Sequence, residues 1–426
     1  MSLIFLFSEK KQVMKNQLSL ILTGSLILLL FNSCLKEECR TYIEVMNSSP
    51  VIVQEEDFRV DLKVIADRTL ENPGKIFFSH NLILINELHE GIHVIDNSDP
   101  HNPQFFNFIS IPGNVDMYLR GNYLYADSYV DLLTIDVSNW NDPKLVNREN
   151  DVFSLHGWTD EGLIAKYDFE PEWIEVDCNN QGQGAFLGGF DSSFPSGESS
   201  SSGNQGQGIA GSMARFGYSS GHLYALDTRH LKVFGLSSPA QPVLLNEILN
   251  TAGIETIFPY KDYLFVGANQ GMFIYDNSNP SHPTYLSAFL HANACDPVFV
   301  KEDRAYVTLR DGNLCQGADN QLDVIDISNI SNPTLIKSYP MTNPHGLSIA
   351  DDLLFLCDGR AGLKIFDISD DLSIDKNRLS KTNTGNAYDV IAISANHIIV
   401  TCDKGLWQFD TSNPRQPELI SFLSIQ

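Results

Sequence analysis

Asn114, Asp116, Glu255, Asp296, His345 and Asp389 share a place in the pattern of this chain. Each lies in a small-residue turn leading into a short apolar run, in PGNVDMYL, AGIETIF, NACDPVFV, NPHGLSIA and GNAYDVIA. Asp127 follows a second kind of run, NYLYA, in the next loop. Brought together, these carboxylates, amide and imidazole could hold a hard divalent cation through oxygen ligands, or hydrogen-bond a sugar. A water-filled funnel would carry the same residue types, so cation site, sugar site and solvated wall all stay open. The spacing specifies no cofactor and no particular metal.

Six further aspartates, Asp96, Asp136, Asp276, Asp326, Asp367 and Asp410, each end an apolar run and open a polar turn. Their carboxylates are placed to accept backbone N–H bonds two residues on, which makes them turn caps. The chain has no G-x-S-x-G elbow, H-E-x-x-H pair, G-x-x-x-x-G-K loop or EF-hand loop, so no residue is given a catalytic role. His156, His230 and His291 have no ligand spacing and read as loop residues.

The elements that position these residues repeat. IHVIDNSDPHNP at 92 returns as LLTIDVSNWNDP, LKVFGLSSPAQP, MFIYDNSNPSHP, LDVIDISNISNP, LKIFDISDDLSI and LWQFDTSNPRQP. The acid position falls at 96, 136, 235, 276, 326, 367 and 410, separations of 40, 99, 41, 50, 41 and 43. A period near 41 lies in the range of four-stranded blade arrays. The runs are rich in Val, Ile, Leu, Tyr and Phe, and no segment after residue 40 holds a helical period. The run ending in Asp should be a third strand buried on both faces. Pro103, Pro143, Pro242, Pro283, Pro333 and Pro417 then begin an edge strand, where a missing N–H costs little. Gly235 and Ile374 mark variant turns.

VIDNSDP, TIDVSN, VIDISN and IFDISD, with the proline that follows, resemble the LVIVD repeat of bacterial surface proteins. That resemblance covers roughly residues 73–426 apart from one insertion, and it implies β-propeller blades with no single activity. The expected fold is all-β, a seven-bladed β-propeller of four-stranded antiparallel blades. Ring closure would remove exposed sheet edges. Each blade is complete in sequence order, so the seam could lack strand exchange, or FRVDLKVIA at 58–66 could add a strand that clasps it. In such a ring the strand-A entries and the B–C loops share one face. The second set brings Glu87, His89, Asp131, Asp227, Arg229, Arg310, Asp358, Arg360 and Asp403 alongside Asp127.

The 99-residue separation leaves an insertion at about 153–212. It begins with the aromatic and acidic HGWTDEGLIAKYDFEPEWIEVD and continues as a Gly-, Ser-, Asn- and Gln-rich tract that reads as a mobile loop.

Residues 1–33 read as an export signal whose true start is Met14: a lysine, then an apolar run from Leu18 to Phe31, too short to span a bilayer. Phe31-Asn32-Ser33-Cys34 resembles a bacterial lipobox, with Cys34 the lipidated residue. Leu35-Lys36-Glu37-Glu38 is similar to the acidic tag of surface-displayed Bacteroidetes lipoproteins. Residues 34–56 are then anchor and linker, and 57–426 the propeller. Six cysteines remain, and Cys295 with Cys315 is the pair within one repeat; isolated buried thiols are the alternative. A net charge of −25 argues against nucleic acid. The expectation is an outer-membrane lipoprotein, anchored to the membrane by lipid and facing the cell exterior. Its propeller would bind or scaffold a glycan, peptide or protein partner. The alternative is a metal-dependent hydrolase, lactonase- or esterase-like, working in the channel.

Overall fold

Apolar runs of four to seven residues between turn residues are too short to bury a helical stripe, and they pair instead as antiparallel strands. The computed structural model describes residues 40–425, except 67, 155–156, 178–198, 201–208, 213, 251–252, 291–296 and 311–318. The signal segment, Cys34, Cys39, Cys178, Asp296, Cys295, Cys315 and most of the Gly/Ser-rich tract lie outside the described residues. Two compact bodies are present. The smaller takes in residues up to 48 and 169–189, where 40–48 and 169–177 are extended. The larger holds 49–168 and 190–426.

In the larger body the strands follow one another as antiparallel meanders of four. In chain order they cover 73–110, 117–149, 216–249, 254–290, 298–340, 347–382 and 387–424, and we number them 1 to 7. Six are separate sheets, while meander 1 is the centre of a seven-stranded sheet. The first strands of successive meanders lie side by side, and that of meander 1 lies beside that of meander 7. The chain is thus all-β, built from four-stranded antiparallel sheets in the manner of a β-propeller.

The core sits between neighbouring sheets. Second and third strands are buried on both faces, as in Leu82–Glu87 and Gly91–Asp96. Their side chains reach the sheets on either side, so Phe77, Leu84 and Ile92 cluster with Tyr118, Leu124 and Phe216. Each fully buried aliphatic contributes about 1.5–3 kcal/mol, and no sheet could obtain that alone. Gly91, Gly271 and Gly405 open three of the third strands at φ of 144°, 142° and 132°. A Cβ at these positions would fall 2.1, 2.2 and 2.0 Å from the carbonyl oxygen of Ile109, Phe289 and Leu423, respectively. Only glycine lets the outer strand come this close.

The seam closes through side chains. Leu70, Ile76, Ile83, Ile85 and Ile95 pack on Ile391, Ile399 and Leu406. Across it, Asn97 Nδ2 donates to Gln408 Oε1 at 3.1 Å, and Gln408 Nε2 donates to Asn97 Oδ1 at 2.7 Å. The 58–66 segment does not cross the seam. Its strand Lys63–Ile65 pairs with the outer strand of meander 1 through Ile65↔Phe108 and Lys63↔Ser110.

The insertion adds two further pieces. Gly162–Asp177 pairs with Trp158–Thr159 and with Arg40–Val53 in a three-stranded sheet. Ile209–Ser212 pairs with the first strand of meander 1, and Ser199–Ser200 pairs with it in turn. Among the described residues no helix is long and apolar enough to cross a membrane.

Candidate functional site

Of the residues at the strand-A entries, Asn114, Asp116, Glu255, His345 and Asp389 are described, and they lie at the inner strands in a dense, mostly buried network. Asn114 is fully buried: its amide donates to the Asp127 carboxylate at 2.8 Å and to the Asp116 carbonyl at 2.9 Å, and its Oδ1 accepts from Asn86 at 2.7 Å. Asp127 Oδ1 also accepts the N–H groups of Val115 and Asp116 at 2.8 and 2.9 Å. Burial pushes the Asp127 carboxyl up from its usual range, although the Arg215 guanidinium and these N–H groups pull the other way. Asp116 accepts from Lys75 Nζ at 3.1 Å, from the Arg215 N–H at 2.5 Å and from the Met117 N–H at 2.7 Å. Both carboxylates therefore have cations and backbone donors in place.

Across the ring, Arg310 donates to His345 Nδ1, so the imidazole is the neutral acceptor. Burial first, and the Arg310 charge second, push His345 down to about 3. Asp389 is fully buried and within 3.5 Å of the Ser212 hydroxyl. Gly346 makes that position possible, because a Cβ there would meet the Asp389 carboxylate at 1.9 Å. Glu255 lies in the same cluster, partly exposed yet crowded by the surrounding walls. Burial pushes it up to about 7, against the pull of Arg310, Lys75 and Arg215.

The loops on the same side hold other carboxylates in structural work. Asp131, fully buried, takes both Arg59 Nε and Nη2 at 2.9 Å and Arg148 at 3.1 Å, tying residues 58–60 to meander 2. Asp358 accepts the N–H groups of Thr342 and Asn343 at 2.9 and 2.8 Å and pairs with Lys364. Glu87 takes His93 at 2.9 Å and the Glu71 N–H at 3.1 Å. Burial alone would raise the Glu87 carboxyl, but these bonds hold it below its usual value.

At the far end of the third strands, Asp96, Asp136, Asp276, Asp326, Asp367 and Asp410 each accept the N–H of the serine two residues on, at 2.8–2.9 Å. The N–H and hydroxyl of that serine hold each carboxyl below its usual value. In meander 6 the turn is longer, and Ile374, where the others have proline, is fully buried against Phe366 and Ile368.

Lys75 and Arg215 were not candidates on sequence grounds. A lysine inside the apolar run GKIFF was the one available signal, since a buried cation requires a partner. Arg215 carried no such mark. Among the described residues no group of three His, Cys, Asp or Glu side chains is arranged to hold a metal ion.

Three stretches of the chain match the LVIVD repeat. They are residues 114–151, 257–290 and 293–341. These LVIVD stretches coincide with meanders 2, 4 and 5, each with an Asp-x-Ser turn between its third and fourth strands, at Asp136, Asp276 and Asp326. No curated protein matches the chain. Among solved structures, the computationally designed Ika8 protein is similar over 84% of this chain and 90% of that chain, with 11% identity and a TM-score of 0.49. Hsv2 of Kluyveromyces lactis is similar over 83% of this chain and 100% of that chain, with 9% identity and a TM-score of 0.49. BamB from Moraxella catarrhalis is similar over 86% of this chain and 97% of that chain, with 7% identity and a TM-score of 0.47.

Proposed function

We propose that this chain is a lipid-anchored surface protein whose seven meanders form a seven-bladed propeller acting as a binding or scaffold module, with a glycan, peptide or protein as partner. One observation carries the reading: the repeated features and the unrepeated ones sit at opposite ends of the blades. The Asp-x-Ser turns recur almost unchanged at one end, while Asn114, Asp116, Glu255, His345 and Asp389 differ from blade to blade at the other, where the insertion also runs. A rigid ring with unit-specific loops on one face is a usual platform for recognition. The anchor is Cys34, behind the export signal and before the acidic Leu35-Lys36-Glu37-Glu38, and it places the module on the outer membrane facing outward.

Two measurements test this. Palmitate labelling of the expressed chain should be lost in Cys34→Ala, with the protein released from the membrane fraction; unchanged labelling overturns the anchor. The mature chain, immobilised and exposed to native cell-surface extract and to a glycan array, should retain a saturable partner; retention of none overturns the binding module.

A further inference from the structure

In meanders 2 to 7 the first strand is the inner edge of its sheet, whereas in meander 1 that edge is taken by Ile209–Ser212. This short strand comes from the insertion and lies on the ring axis, beside the first strands of meanders 1, 6 and 7. Its hold on the ring is short: Ile209 packs on the apolar cluster around Ile76 and Ile391, and the remaining contacts are polar. Two residue pairs, Ile209↔Phe78 and Ala210↔Phe77, make the ladder. The Ser212 hydroxyl then accepts the Leu347 N–H at 2.7 Å and reaches the Asp389 carboxylate at 3.5 Å, with Ser212 itself buried. Beyond it the chain is fixed more firmly. The Ala214 carbonyl accepts from Ile257 at 3.0 Å, and Arg215 is bound to Asp116 and Asp127 before the first strand of meander 3 begins.

We propose that the inner edge of meander 1, at Phe77 and Phe78, is a binding site for an extended peptide strand with an aliphatic residue opposite Phe78. A hydroxyl-bearing residue would sit between Leu347 and Asp389. Residues 209–212, Ile-Ala-Gly-Ser, are the built-in occupant that such a peptide replaces. The inference rests on the binding-module reading above and names its ligand class. Strand addition suits this edge because main-chain bonds supply affinity, while the apolar cluster at Ile209 and the buried place of Ser212 supply selectivity. Fixed on its downstream side at Arg215, the occupant competes as a tethered strand at high effective concentration, so a free peptide gains when the occupant is weakened.

The test uses the full mature chain in detergent and a fluorescein-labelled peptide of residues 208–215, read by anisotropy. Saturable binding is expected, about tenfold tighter in Ser212→Ala, where the occupant loses its hydroxyl bond. A composition-matched scrambled peptide should not bind. In the double variant Ile209→Cys with Phe78→Cys, oxidation should lock the occupant and abolish binding, and reduction should restore it. The two single-cysteine variants should bind regardless of redox state. Absence of binding to Ser212→Ala, or binding indifferent to the lock, overturns the proposal. If the oxidised double variant still captures a cell-surface partner while no form binds the peptide, the strand site fails and the binding module stands. If capture is absent as well, both fail.

Discussion

Glu255 and His345 pull stability in opposite directions with pH, and each does so because burial favours its neutral form. For Glu255 the folded value, about 7, lies above the ordinary glutamate value of 4.5. Its contribution is therefore full below pH 4.5 and is lost as pH rises toward 7. Glu255→Gln should raise stability at pH 8 by something on the order of 1–3 kcal/mol and change nothing at pH 4, as read by denaturant titration at the two pH values. His345 runs the other way. Its folded value, about 3, lies below 6.5, so its contribution is full above 6.5 and is lost as pH falls toward 3. His345→Gln should flatten the decline in melting temperature between pH 7 and pH 4; a decline as steep as that of the unsubstituted chain would show that Arg310 does not hold a neutral imidazole. The turn aspartates act on a smaller scale. Asp326→Ala removes the 2.8 Å bond to the Ser328 N–H together with the Ser328 hydroxyl bond and the 3.3 Å ion pair with Arg304, and should cost about 1–2 kcal/mol in denaturant melts.

The third strand is the element on which the fold turns. It was legible in the sequence because Ile-x-Val-Ile-Asp and its copies combine a two-faced apolar run with a chain-turning acid. The serine partner could be read only as part of a polar turn, since nothing local distinguishes a hydroxyl donor from a solvated one. A regular feature of the outer strands was not legible at all: a register shift beside the third strand recurs in all seven meanders, at Val94/Ile95, Leu145/Asn147, Val233/Phe234, Ile274/Tyr275, Val324/Ile325, Ile365/Phe366 and Gln408/Phe409. Bulges of this kind twist an edge away from further pairing. In meander 1 the added strand Lys63–Ile65 pairs only with 108–110, beyond the bulge. The glycine that opens the third strand gives a sharper test. Gly271→Ala would force a Cβ to 2.2 Å from the Phe289 carbonyl at a φ of 142°, and should cost about 2 kcal/mol or more. In circular dichroism melts, a loss below about 0.5 kcal/mol would mean that the outer strand yields freely.

For the whole molecule, the meanders and their order followed from the period near 41, while the seam and the axis did not. Of the strand expected at 58–66 only Lys63–Ile65 forms, Phe58 ending a short helix from Glu55, and its partner depended on which edge lay nearest in space, about which local alternation carries no information. The polar ring was likewise readable as a set of residues. Its burial was not, because Lys75 and Arg215 arrive from a strand interior and from the end of an insertion whose path no repeat predicts. At the seam the reciprocal Asn97–Gln408 amide pair should show coupling of about 1 kcal/mol in a double-mutant cycle of Asn97→Ala and Gln408→Ala. Additive single effects would assign closure to the apolar cluster alone.

Because each meander is finished in chain order and the seam is joined by side chains, no strand among the described residues is shared between the first and last meanders. A gene carrying such a repeat can therefore gain or lose it in whole steps: a duplication inserts a complete sheet with both of its packing faces, and a deletion removes one without orphaning a strand. By the same token, a chain rejoined at its ends and reopened between two meanders should build the same ring.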